Sequence, residues 1–324
     1  MNVYYSSPWI PAEWIQAHGL EPRGAWSAED FGRGALPLAA GVCAFSEAVL
    51  RFAETHPEAA MIFTTTCDQL RRGFDAFAAV PGGRTFLFNL PATWQSTTAR
   101  RMFQSELERL GRFLEALGGH PPSAGDLVKI IKRRDRARQN LLELVPRCSA
   151  RQLAEAFAHF HGNGSCATPD PVLSPTVGSI PLALVGGPLT ASQGDVLDLI
   201  EATGARVVLN ATETGERSLL PAFAPEDLHD NPFDALARHY FENIVDVFQR
   251  PNTRLYSWLN DRLASRGARG IVLWVHTGCD LWRAETQSLR ETFRLPVLLL
   301  EADEMCGGSR READRVQAFV ETLQ

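Results

Sequence analysis

The chain has 324 residues, of which 45% are hydrophobic and 22% charged, so its length and composition predict a soluble globular protein of two ordinary domains. The formal net charge of -6 gives no reason to expect a nucleic-acid partner, which needs a concentrated basic face. No apolar run approaches the roughly 20 residues of a membrane span, and residues 1–8 lack a signal-peptide pattern, so we expect a cytoplasmic protein with no membrane partner.

The first half of the chain combines two buried strands with a long helical stretch. A segment of small residues around Cys43 leads into a helical run at 47–54. Apolar, β-branched runs at 60–66 and 84–90 predict strands, and the pattern at 96–160 is almost wholly helical. We therefore predict an N-terminal α/β domain with a helical segment over residues 1–165.

The second half alternates strands and helices more regularly. The loop at 161–179 contains three prolines and predicts the domain boundary. Beyond it, the predicted strands are 181–186, 205–210, 270–276 and 296–301, and the clearest helices are 192–203 and 285–293. We predict a C-terminal α/β domain over residues 175–324, so that each domain has a parallel sheet flanked by helices.

Two of the six cysteines stand where predicted strands end. Cys67 follows the strand at 60–66 and Cys279 follows the strand at 270–276, and each begins a Cys-Asp-x-x-Arg sequence. Ligands of open α/β sheets bind outside the carboxyl ends of the strands, so these thiols predict one site between the two domains. No Cys-x-x-Cys pair occurs, and spacing alone leaves three interpretations open: a nucleophile, an iron–sulfur ligand or an inert buried thiol.

An ordered set of short motifs narrows these interpretations. It comprises Gly-x-Cys at 41–43, Thr-Cys-Asp at 66–68, Gly-Cys-Asp at 278–280, an opening segment at 10–22, and an ending at 296–303 with 310–321. The set resembles the 2-hydroxyacyl-CoA dehydratase (D-component) family, which also contains benzoyl-CoA reductase subunits and double-cubane cluster proteins. The resemblance spans nearly the whole chain in the family's order.

The resemblance implies a cofactor and its ligands. In such a protein Cys43, Cys67 and Cys279 would bind a [4Fe-4S] cluster, or a double-cubane cluster, between the two α/β domains. One iron would be left open for substrate. Cys306 is a candidate extra ligand, and an ordinary loop thiol is the alternative.

The resemblance also implies a reaction. The chain would be a lyase subunit that dehydrates a 2-hydroxyacyl-CoA by anaerobic radical chemistry, together with a related second subunit and an ATP-hydrolysing iron–sulfur activator. Because the chain has no Gly-x-x-x-x-Gly-Lys-Ser/Thr loop, a separate protein must use the ATP. The alternatives are a subunit of a benzoyl-CoA reductase or double-cubane reductase, and a non-catalytic partner that carries the cluster.

Glu13 and Ser7 are the candidate catalytic residues. Glu13 would act as an acid, a base or a substrate contact; the alternative is a first-turn glutamate favoured by the helix dipole. Ser7 would hydrogen-bond a substrate hydroxyl or thioester carbonyl; the alternative is an ordinary turn serine.

Overall fold

Two four-stranded parallel sheets form the frame of the protein. The computed structural model describes residues 1–31, 42–78, 84–166, 178–302 and 310–324. The strands are β1 (Asn2–Tyr5), β2 (Glu21–Gly24), β3 (Ala60–Thr64), β4 (Arg84–Phe88), β5 (Ile180–Gly186), β6 (Ala205–Thr212), β7 (Gly270–His276) and β8 (Val297–Ala302). The order is β2-β1-β3-β4 in the first sheet and β6-β5-β7-β8 in the second.

Helices flank both sheets. They are α1 (Ala12–Ala17), α2 (Ala44–Thr55), α3 (Asp68–Ala78), α4 (Thr97–Ala116), α5 (Ala124–Leu144), α6 (Ala150–Asn163), α7 (Asp195–Ala202), α8 (Asp227–Asp230), α9 (Pro232–Asn243), α10 (Thr253–Ser265), α11 (Asp280–Phe293) and α12 (Arg310–Glu321). Helices in the described ranges are not long and apolar enough to cross a membrane. The architecture confirms the predicted fold class of two parallel α/β sheets.

The two sheets have the same strand order. In each, the first strand of the half lies between the second and the third, and the fourth lies at the edge. β3 and β7 therefore occupy equivalent places, and each is followed by a Cys-Asp-x-x-Arg sequence. The two Cys-Asp-x-x-Arg sequences therefore occupy equivalent positions in two sheets of the same topology.

Burial on both faces explains which strands the sequence predicts well. All seven residues of β7 are buried, because helices cover both faces of a parallel sheet, and such strands are continuous apolar runs. The observed β7 matches the predicted range 270–276, whereas β6 runs to Thr212, two residues beyond its predicted end. β2 has four residues, too few for a period to show, and was not predicted.

The helical segment and α9 join the halves of the chain. α6 contacts both β2 and β6, and α9, from the second half of the sequence, packs on α4 and α5. Residues of 220–248 consequently belong to the apolar core around the first sheet. The predicted boundary at 161–179 stays a prediction, since 167–177 lie outside the described residues.

Candidate functional site

Three cysteines precede three helices at the edge between the sheets. Cys67 lies between β3 and α3, Cys279 is the N-cap residue of α11 after β7, and Cys43 is the N-cap residue of α2. A helix N-terminus presents free backbone N–H groups and the positive end of the helix dipole. Each of these helix termini therefore favours a negative charge on the sulfur beside it.

Contacts around α2 connect the three cysteine loops. The backbone N–H of Ala44 donates to the Thr277 carbonyl oxygen at 3.3 Å, beside Cys279. The backbone N–H of Cys43 donates to Oε1 of Gln69 at 3.1 Å, beside Cys67. The loop that carries Cys43 is thus held against both of the others.

Gly278 makes the closest of these approaches possible. Its φ of 85° lies in the left-handed region, and a Cβ there would lie 3.3 Å from the Cα of Cys43. A side chain at this position would be strained and would press on the Cys43 backbone. The glycine therefore lets the loop of Cys279 lie directly against Cys43.

The three thiols form one electrostatic group. Burial raises the pKa of Cys67 and of Cys279 to about 12 and also raises the pKa of Cys43. A charge on Cys43 raises the pKa of both other thiols, and Cys67 and Cys279 likewise interact. Bringing three thiolates together in this buried place requires a compensating positive charge.

Backbone N–H groups already point at the sulfurs. Ser46 donates its N–H to Sγ of Cys43 at 3.4 Å, and Leu70 donates its N–H to Sγ of Cys67 at 3.5 Å. The Trp282 N–H lowers the pKa of Cys279 in the same way. Such N–H···S bonds are typical of cysteines that ligate iron–sulfur clusters, so the donor set fits a cluster.

A single metal ion does not fit as well. Over the described ranges, no group of three or more His, Cys, Asp or Glu residues forms a site for one metal ion. In a cubane cluster each cysteine binds a different iron, so three ligands of a cluster need not meet at one point.

His276 is the candidate base for the nucleophile interpretation. His276 precedes Cys279 by three residues, but its Nε2 lies 2.8 Å from the Pro188 carbonyl oxygen. Burial lowers the pKa of His276 to about 4. Nδ1 of the ring is buried without a hydrogen-bond partner among the described residues, so no hydrogen bond joins the ring to the Cys279 thiol as a general base would need.

Ser7 lies at the same edge and has a partner that the sequence did not reveal. Its buried hydroxyl donates to Oε1 of Glu213 at 2.7 Å, and Glu213 directly follows β6. Burial and the charge of Asp246 raise the pKa of Glu213, whereas the charge of Arg217 and the hydrogen bond from Ser7 lower it. The net result is a pKa of about 7. The charge of Glu213 in turn raises the pKa of Cys279, so Ser7 and Glu213 belong to the surroundings of the cysteines.

Arg217 fixes the backbone around Glu213. This buried guanidinium donates to the carbonyl oxygens of Ala211 at 2.9 Å, Gly186 at 2.7 Å and Val245 at 3.0 Å. It also pairs with Asp246 at 3.1 Å. It therefore ties the ends of β5 and β6 to the segment after α9.

Glu13 lies in a different cluster. It is fully buried. Its Oε1 accepts a hydrogen bond from Nη2 of Arg138 at 2.7 Å, and its Oε2 accepts one from the Tyr240 hydroxyl at 2.6 Å. Arg134 lies further away, with Nε 3.9 Å from Oε1. These partners are not groups of the cysteine site, and the ion pair accounts for a buried carboxylate without catalysis; the catalytic role of Glu13 stays a prediction.

The other three cysteines and Arg283 have the following positions. Cys148 is buried in the apolar cluster between α5 and α6, away from the cysteine site, and Cys166 packs against that cluster. Arg283 pairs with Glu301. Cys306 lies outside the described residues.

A cavity opens beside Glu213 at the same edge. It has a volume of about 240 Å³ and is lined by residues that follow β2, β5 and β6, and by α6. Trp26, Phe157 and Leu189 form apolar walls, and Asn210 and Thr214 add polar groups. Because β1 lies between β2, whose end borders the cavity, and β3, whose end carries Cys67, Ser7 after β1 and the carboxylate that it binds stand between the cavity and Cys67.

Comparison with known proteins gives one family. The family model described as 2-hydroxyglutaryl-CoA dehydratase, D-component, matches residues 9–161 and 174–323. No curated protein matches the chain.

Proposed function

The chain belongs to the 2-hydroxyglutaryl-CoA dehydratase D-component family, and from this premise we propose that it is the iron–sulfur subunit of a 2-hydroxyacyl-CoA dehydratase. The observation that carries the proposal is the meeting of three cysteine loops, each at a helix N-terminus, at the edge between two parallel sheets.

Cys43, Cys67 and Cys279 would hold a [4Fe-4S] cluster. Cys43 is buried, and Cys67 and Cys279 are half-buried. The three thiols accept N–H groups from their own helices and would repel one another when charged, and a cationic iron core would relieve that repulsion. A cluster held there would supply a low-potential electron, received from the ATP-hydrolysing activator, for reduction of the thioester and loss of the 2-hydroxyl group.

The protein itself contributes position and exclusion of water. The backbone contacts of Ala44, Gln69 and Gly278 keep the three thiols in fixed relation. Cys43 is 6% exposed, so its sulfur is shielded from solvent on the side of the first sheet. Ser7 and Glu213 lie on the cavity side, where the acyl group of the thioester would enter.

The proposal includes two partner proteins, an activator and a related second subunit. The sequence has no phosphate-binding loop of the Gly-x-x-x-x-Gly-Lys-Ser/Thr type, so an ATP-hydrolysing activator would be a separate protein. The word "component" in the family's description supports a related second subunit. The described cysteines are free thiols, which suits the reducing cytoplasm.

The test is spectroscopic. We would purify the chain without oxygen, reconstitute it with iron and sulfide, reduce it, and record its electron paramagnetic resonance spectrum before and after adding 2-hydroxyhexanoyl-CoA. A cluster signal that changes with the thioester supports a substrate-binding dehydratase subunit. A signal that ignores the thioester indicates a subunit that only carries electrons, and no signal refutes the proposal.

A further inference from the structure

Glu213 holds a carboxylate between the two sheets. Its Oε1 accepts the hydroxyl of Ser7, which follows β1 of the first sheet, at 2.7 Å. Its backbone N–H donates to the Gly187 carbonyl oxygen, after β5 of the second sheet, at 3.3 Å. The side chain is therefore anchored from both halves of the molecule.

The other carboxylate oxygen is available. Among the described residues, Oε2 of Glu213 has no hydrogen-bond partner, and the residue is partly exposed. Arg217 directs its hydrogen bonds to Asp246 and to backbone carbonyl oxygens instead. Glu213 thus presents a free acceptor next to Thr214, which lines the cavity.

Unpaired donors lie on the segments that flank this acceptor. Within the described part of the chain, Ser6 Oγ, Trp9 Nε1 and Gln249 Nε2 are buried and lack hydrogen-bond partners. The rings of Trp9 and Phe248 lie 5.6 Å apart, so the segments around Ser7 and Gln249 are in contact. Buried polar groups are nearly always paired, so unpaired donors on the two segments next to Ser7 and Asp246 fit a polar ligand.

The cavity beside Glu213 suits an apolar chain. Thr214, the next residue, lines it, and Trp26, Phe157 and Leu189 supply aromatic and aliphatic walls. Ser7 follows β1, which lies between β2 at the cavity and β3 at Cys67, so a ligand that extends from the cavity to Cys67 passes the Ser7–Glu213 pair.

From these contacts we propose that Glu213, held by Ser7, accepts a hydrogen bond from the 2-hydroxyl group of a 2-hydroxyacyl thioester whose apolar acyl chain lies in the cavity. The inference rests on the proposed function and adds the residue that selects for the hydroxyl group. A site built to bond a hydroxyl leaves a carboxylate unpaired when that hydroxyl is missing, which penalises the plain acyl thioester.

The test compares two thioesters on the full chain. We would measure dissociation constants of 2-hydroxyhexanoyl-CoA and hexanoyl-CoA by calorimetry for the wild type, Glu213→Leu, Ser7→Ala and the control Glu242→Leu. Glu242 is a surface residue that pairs with Arg100 at 2.5 Å, remote from the cavity. A hydrogen bond to a charged group predicts roughly ten- to a hundred-fold preference for the hydroxy compound in the wild type and the control.

Each outcome decides the inference. Glu213→Leu should bind the two thioesters about equally. Ser7→Ala should lose part of the preference for 2-hydroxyhexanoyl-CoA, and this second variant decides the test if Glu213→Leu does not fold. A preference that survives in both variants overturns the role of Glu213 and leaves the dehydratase proposal standing. A wild type that binds both equally does the same. One that binds neither overturns the role of Glu213 and indicates a subunit that only carries electrons, whose cluster the spectroscopic test still decides.

Discussion

Replacing Glu13 by glutamine should destabilise the fold strongly. The substitution removes the charge that faces Arg138 at 2.7 Å and Arg134 at 3.9 Å, and it places an amide against the Tyr240 hydroxyl. The side chains of Arg134 and Arg138 are only 3% and 2% exposed, so water cannot replace the carboxylate as their partner. Glutamine keeps one acceptor oxygen, so the main loss is the charge that faces the buried guanidiniums, and breaking a buried ion pair typically costs roughly 3–5 kcal/mol.

Urea unfolding measures this loss against a matched control. Glu155→Gln removes a surface carboxylate that pairs with Arg151 at 2.8 Å while 63% exposed, so it should cost less than about 1 kcal/mol. Burial acts to raise the pKa of Glu13, but Arg138, Arg134 and Tyr240 together hold it below its ordinary value. The stability that Glu13 provides is therefore present at neutral pH and disappears as the pH falls through that lowered pKa.

A small effect of Glu13→Gln would refute this reasoning. If the two variants unfold within about 1 kcal/mol of each other, the buried cluster does not depend on the charge of Glu13. A variant that is fully stable yet loses activity would restore Glu13 as a candidate catalytic residue.

Two further predictions concern the edge between the sheets. The pKa of Glu213 is raised from an ordinary 4.5 to about 7, so the folded state binds a proton more tightly than the unfolded state does. The free energy of unfolding of the wild type should therefore fall by about 2–3 kcal/mol relative to that of Glu213→Gln as the pH rises from about 5 to about 8. Urea unfolding at both pH values would measure this change, and a difference that does not depend on pH would contradict it. Gly278→Ala and Gly204→Ala should each cost about 1–2 kcal/mol, because their φ angles are 85° and 83°, but only Gly278 abuts Cys43. Iron content after reconstitution should therefore fall in Gly278→Ala alone, and equal loss in both variants would rule out a local effect on Cys43.

The cysteines at strand ends were predictable because buried parallel strands are apolar runs. β3 and β7 are buried along their whole length, so their ends, and the thiols beyond them, stand out in the sequence. Cys43 was different, since no predicted strand precedes it, and only the resemblance to a family singled it out.

Long-range contacts could not be predicted in the same way. Glu213 lies just past a strand whose predicted end fell at Asn210, and a carboxylate in a loop carries no signal by itself. Its meaning comes from Ser7, which is 206 residues away in the sequence. The packing of α9 on α4 and α5 likewise leaves no local period.

Glu13 shows how a local reading can be incomplete. Its place in the first turn of α1 was evident from the sequence, and a helix dipole explains a glutamate there. The two arginines that neutralise it lie on α5, inside the basic run at 129–138, and such runs are usually solvated helix faces. Burial divides that run, because Arg134 and Arg138 point inward while Lys132 and Arg133 stay exposed.

Iron and acid-labile sulfide in the chain, purified and reconstituted without oxygen, test the central claim most directly. The account predicts iron and sulfide in equal amounts in the wild type and in Cys148→Ser, whose thiol lies in the separate cluster between α5 and α6. It predicts loss of both in Cys43→Ser, Cys67→Ser and Cys279→Ser. A wild type without iron, or serine variants that retain the full amount, would contradict it.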